Sequence, residues 1–134
     1  MIGPGVLTLA EVARRIRQAL MDPEQGESEA WLPIREFLDD FRTAAPEVRQ
    51  GMIEARPEPT GDPRFDAYLA ALAEHLAVHH DLRVPEWVEE PGRFLDRWWF
   101  PTRFRSLHAM ALVESPASFR RRGIFIDHTE FERC

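Results

Sequence analysis

From Leu9 to His80 the apolar residues recur every three or four positions, the spacing of one face of an α-helix. Thr8-Leu9-Ala10-Glu11 reads as a capping box. The Thr8 hydroxyl accepts from the Glu11 amide, and the Glu11 side chain returns to the Thr8 amide. Leu9, Val12, Ala13, Ile16 and Leu20 then place a first helix near 9–21. Asp22–Glu29 is polar, contains Gly26 and reads as a loop. Trp31, Ile34, Phe37, Leu38 and Phe41 define a second helix, with Pro33 in its first turn. Ala45-Pro46 opens a shorter third helix bearing Val48, Met52 and Ile53.

Arg56–Asp62 holds two prolines and a glycine and must be a connector. Asp62-Pro63 is a strong helix start, with Asp as cap and Pro at the first helical position. Phe65, Tyr68, Leu69, Leu72 and Leu76 form one face of this fourth helix, near 63–80, expected to be the longest and the centre of the fold.

Beyond Asp81 the texture changes, because Pro85, Pro91, Pro101 and Pro116 cut the chain into short pieces. Phe104, Leu107, His108 and Ala111 suggest a helix near 102–114. Ser115-Pro116 starts another short one, and Gly123 is suited to a left-handed helix end. Ile124-Phe125-Ile126 reads as an extended segment plugging the core, followed by a last helical turn at Thr129–Arg133. The expected fold is all-α. It is a single-domain helical bundle over 1–134, with N-terminal helices in 1–56. A central helix and an irregular, aromatic- and Arg-rich C-terminal third occupy 62–134.

Composition adds compartment and charge. At 134 residues there is room for one real core. No apolar run is long enough to span a bilayer, and the start lacks the pattern of a signal peptide. With Cys134 as the single cysteine, a reducing cytoplasm is the expected location. All 17 basic residues are arginine, which reads as the codon bias of a GC-rich, bacterial genome. Residues 1–90 carry 9 arginines and 18 acids, a net −9; residues 91–134 carry 8 and 5, a net +3, which together give −6. A basic end on an acidic body points to self-neutralisation inside the fold or to an acidic partner. The overall negative field disfavours direct binding of nucleic acid.

The candidate chemistry is sparse. His75 and His79 lie one helical turn apart and could supply half of a metal site. Helical bookkeeping puts His79 within the apolar face and His75 at its edge. A third ligand would come from His108, Asp127, His128 or Glu130. The zincin order His-Glu-x-x-His is absent, and a His pair at a helix end also suits the helix dipole. His108 reads as a core histidine. Cys134 has no neighbourhood that would activate a thiol. Asp39-Asp40 and Glu89-Glu90 are adjacent in sequence, so their side chains diverge and make no acid–base dyad. There is no glycine-rich phosphate loop and no serine nucleophile elbow. No cofactor is implied.

Pro91–Ile126 is the most distinctive stretch. Adjacent Trp98 and Trp99 cannot both point inward on one regular element. Arg120, Arg121 and Arg122 fan around a helix, so at least one belongs to the interior. Trp98, Trp99, Arg103, Arg105, Arg120, Arg121 and Arg122 are the candidate partner-binding residues.

The segments PEWVEEPGRFLDRWWFP and LVESPASFRRRGIFID resemble a family of uncharacterised actinobacterial-type proteins. Similar segments end Xre-like helix-turn-helix regulators and also occur in short stand-alone proteins. The likeness covers about residues 60–133. It implies a bacterial regulator-associated module, such as the antitoxin-like partner of a toxin. DNA binding does not carry over, because the acidic stretch 22–29 stands where a recognition helix should begin. Three functions are therefore expected, in order: a non-enzymatic protein-binding or regulatory module, a metal-dependent enzyme or metal-binding protein using His75 and His79, and a nucleic-acid-associated accessory using the arginine cluster.

Overall fold

In a computed structural model of the chain, residues 6–101 and 115–126 are described. The fold is all-α. Five helices form, with no strand among the described residues: α1 (Leu9–Ala19), α2 (Gly26–Thr43), α3 (Pro46–Glu54), α4 (Pro63–His79) and α5 (Ala117–Arg120). Two 3-10 turns, Glu86–Glu89 and Pro91–Arg93, separate α4 from α5. The chain divides into two compact units, Met1–Asp66 and Ala67–Cys134. The expected helix at 102–114 and the last turn at Thr129–Arg133 lie outside the described residues.

In the first unit, α1 begins at Thr8, whose Oγ1 accepts from the Glu11 amide at 3.2 Å. The return bond of the box is replaced: the Glu11 carboxylate takes Arg14 and Arg15 instead. Leu9, Val12, Ala13 and Ile16 are buried, as their spacing requires. The Leu7 amide donates to Asp40 Oδ2 at 3.1 Å, tying the entry of α1 to the far end of α2. Arg49 closes that same end of α2. Its Nε donates to the Phe41 carbonyl and its Nη2 to that of Arg42, each at 3.0 Å, with the guanidinium 4.9 Å from the Phe41 ring centre. Both carbonyls belong to the last turn of α2, where the dipole favours a cation; that of Phe41 also accepts from the Ala44 amide at 3.3 Å.

The start of α2 corrects the expectation. Residues 26–29 are helix rather than loop, so Pro33 sits inside α2 instead of in its first turn. The physical reason lies in Asp22 and Gly26. The Asp22 side chain accepts from the amides of Glu24 and Gln25, and its carbonyl accepts from the Gly26 amide, which winds the chain before the apolar pattern begins. Glu27 and Glu29 then fall in the first turn, where acids favour the dipole. This early start makes α2, at 18 residues, one longer than α4. Gly26 is required by proximity. A Cβ there would lie 2.6 Å from the Ala19 carbonyl oxygen and 3.0 Å from the Leu20 Cα.

The connector before α4 is pinned by Asp66, whose Oδ1 accepts from the Thr60 amide at 2.8 Å and the Thr60 hydroxyl at 2.9 Å. Asp62 caps α4 as expected, accepting from the Arg64 amide at 2.9 Å. Burial alone would push the Asp62 carboxyl up, but side-chain and backbone hydrogen bonds from Arg64 outweigh it and hold the carboxyl below its ordinary value.

Every residue from Ala67 to Ala73 is buried, so this part of α4 is enclosed on all sides rather than on one face. The helix closes with a Schellman motif. Asp81 adopts φ 56° and the Leu82 amide reaches the Ala77 carbonyl at 2.8 Å. Among the described residues, no helix is long and apolar enough to cross a membrane.

Gly26→Ala is expected to lower stability by about 1–3 kcal/mol, because backbone must move to admit the methyl group. A urea titration followed by circular dichroism measures it. An unchanged midpoint would mean that α1 and α2 separate there at no cost.

Candidate functional site

The second unit brings together the residues that stood out in the sequence. α5 opens after Ser115-Pro116 and ends in a second Schellman motif. Gly123 adopts φ +83°, its amide reaches the Arg120 carbonyl at 3.0 Å, and the Ile124 amide reaches that of Phe119 at 3.0 Å. The left-handed glycine turns the chain into an extended run. Ile124, Phe125 and Ile126 are all buried, as expected of a core plug. The run does have a backbone partner, which sequence reasoning missed. Trp99 forms an isolated parallel bridge with Ile124: its amide donates to the Gly123 carbonyl at 2.8 Å and its carbonyl accepts from Phe125 at 2.9 Å. Ser115 seals the end of the run, its hydroxyl accepting from the Ile126 amide at 2.8 Å and donating to the Ile126 carbonyl at 3.0 Å.

That bridge separates the tryptophan pair. In extended backbone successive side chains point to opposite sides. Trp99 is half-buried, its ring centre 6.3 Å from that of Tyr68. Trp98 is 69% exposed, resting edge-on against Phe125 at 5.0 Å. Phe100, on the same side as Trp98, stacks on Phe125 at 5.4 Å. One tryptophan therefore holds the segment down and the other is displayed.

The arginine triplet divides just as sharply. Arg122 is 1% exposed. Its guanidinium donates to Glu74 Oε1 at 2.5 Å and to the carbonyls of Ser118 at 2.7 Å and Val88 at 2.9 Å. It also lies 4.9 Å from the Phe94 ring centre, and its Nε is buried with no hydrogen-bond partner among the described residues. Burial is the largest influence on Arg122 and lowers its pKa, against the pull of Glu74. Arg121 is exposed yet committed. It donates through Nε to Glu74 at 3.1 Å and through Nη2 to both Glu89 oxygens, and it covers the Phe94 ring at 5.2 Å. These bonds raise its pKa, the hydrogen bond to Glu89 contributing most. Arg93 follows the same pattern in the 3-10 turn, buried, donating to Glu90 and lying 4.8 Å from the Trp87 ring centre.

Arg122 is therefore unavailable to any partner, and Arg121 already has two carboxylates. Of the residues singled out in the sequence, Trp98, Arg120 and Arg121 are exposed and Trp99 is half-buried. Arg103 and Arg105 lie outside the described residues, as do His108 and Cys134. The self-neutralisation suggested by the charge split is realised for Arg121 and Arg122. Phosphate gripping would have to proceed without them.

The histidine pair is also placed, with the faces exchanged relative to expectation. His75 is half-buried and His79 exposed. The rings lie 4.2 Å apart at 45°, and His75 meets Phe119 edge-on at 6.0 Å. Burial, reinforced by the nearby charges of His79 and His80, lowers the His75 pKa from 6.5 to about 4. Among the described residues no group of three or more His, Cys, Asp or Glu is placed to hold a metal ion. The ligands that sequence reasoning named as completing a set, His108, Asp127, His128 and Glu130, lie outside the described residues.

With this geometry in hand, the class of the chain is an all-α protein with an arginine-stapled aromatic segment. In comparisons with protein families, with curated proteins and with solved structures, nothing matches the chain.

Two outcomes follow. Glu74→Ala leaves a buried guanidinium without its carboxylate and should cost on the order of 3 kcal/mol, read by chemical denaturation. The paired change Glu74→Gln with Arg122→Met should cost less than Glu74→Ala, since no charge is then stranded. In metal-free buffer, the unfolded chain protonates at His75 below pH 6.5 while the folded chain resists to about pH 4. Stability therefore falls as the pH drops through that window, and His75→Gln should flatten the slope there. A parallel slope in the variant would contradict the assignment.

Proposed function

We propose that this chain is a non-enzymatic, cytoplasmic protein-binding module whose anchor is Trp98, and that it acts as the antitoxin-like or regulatory partner of another bacterial protein. One observation carries the reading: Trp98 is 69% exposed while the backbone beside it is bridged through Trp99. Tryptophans are enriched among the few residues that dominate binding energy, and displaying one on ordered backbone avoids the entropy of fixing it at the moment of binding. The likeness of Pro85–Ile126 to regulator-associated segments supports the finer assignment to a toxin or regulator.

The test uses the genes that flank the chain's own. Each is expressed alone, and any that arrests growth is co-expressed with this chain. Rescue by the wild type, with loss of rescue by Trp98→Ala at unchanged circular dichroism, is the expected result. The substitution should weaken the complex by at least about 2 kcal/mol, roughly a thirtyfold change in Kd. Absence of a toxic neighbour, or full rescue by Trp98→Ala, would overturn the proposal.

A further inference from the structure

The pair His75 and His79 on α4 is not used by the partner-binding reading and supports a separate inference. We propose that His75 and His79 form a two-nitrogen site for a single copper(II) or nickel(II) ion, with water completing the coordination.

Spacing provides the first support. Residues four apart on a helix stand one above the other on the same face, so both rings can address one ion. Distance provides the second. With a metal–nitrogen bond of about 2.0–2.1 Å, two imidazoles bound at a right angle have ring centres about 4.5 Å apart, whereas a tetrahedral angle needs about 5.2 Å. The rings here are 4.2 Å apart, close to the right-angle value. Right angles belong to square-planar and octahedral ions such as copper(II) and nickel(II); zinc sites are usually tetrahedral.

The surroundings suit a ligand pair. His75 is oriented by the edge of Phe119, which limits the ring freedom lost on binding. His79 is exposed, so an ion can arrive from solvent. The neighbouring carboxylate of Glu74 is engaged by Arg121 and Arg122, which leaves the two imidazoles as the ligands of the site. Such a pair selects borderline-soft ions over magnesium or calcium.

The experiment titrates copper(II) and, separately, nickel(II) into the full chain in chelator-treated buffer at neutral pH. Calorimetry gives the stoichiometry, and copper electron paramagnetic resonance gives the number of bound nitrogens. The expected result is one ion per chain with two imidazole nitrogens in the copper spectrum. His79→Gln changes an exposed side chain and should weaken binding by at least about tenfold, the loss seen when even outer-shell support of a metal ligand is removed. His80→Gln should bind as the wild type does. Failure of the wild type to bind stoichiometrically, or equal binding by His79→Gln, would overturn the site. Neither outcome bears on Trp98 and its partner.

Discussion

The second unit depends on one buried guanidinium. Arg122 cannot lose its charge at any ordinary pH, so its removal from water must be compensated by bonds made inside the fold. Glu74 supplies the opposite charge, the carbonyls of Ser118 and Val88 take two further hydrogen bonds, and the Phe94 face covers the group. Those partners come from α4, from α5 and from the segment between them that carries the 3-10 turns. A charge that must be satisfied by three segments at once fixes where each can be. A buried ion pair often adds little net stability over an apolar core. Its contribution here is to select one arrangement, because any displacement of α5 strands either the cation or Glu74.

The display of Trp98 follows from that arrangement. Arg122 immediately precedes Gly123, whose left-handed backbone directs Ile124–Ile126 into the core beside Trp99. The Leu95 amide donates to the Arg122 carbonyl at 3.0 Å, and Trp99 continues the pairing one step further along. Extended backbone then places Trp98 and Trp99 on opposite sides. The same segment thus contributes to the core and presents an aromatic surface. Arg121 closes the edge, joining Glu74 to Glu89 over the Phe94 ring.

Much of the architecture was legible from periodicity. The first, third and fourth helices start where Thr8, Pro46 and Asp62-Pro63 indicate, and Gly123 ends α5 as a left-handed glycine should. The early start of α2 was not legible, because polar residues and Gly26 have the local signature of a loop. What makes them helical is the winding at Asp22 and the close approach of α1, and no local pattern encodes that approach. Geometry predicted that the tryptophans and the arginines must each divide, but not which residue goes inward. That choice depends on Glu74, forty-eight positions away, and on the pairing of Trp99 with Ile124. The exchange of faces between His75 and His79 has the same origin, since Phe119 of α5 covers the one and leaves the other in solvent.

The most direct test of the arginine staple is amide hydrogen exchange at Leu95, Trp99 and Phe125, whose amides bond across the segment that Arg122 positions. Wild type and Glu74→Gln would be compared, with the amides of α4 as internal reference. If the staple holds the segment, protection at these three amides falls selectively in the variant while α4 stays protected. Unchanged protection at all three would show that the segment keeps its place without the buried ion pair, and would contradict the account.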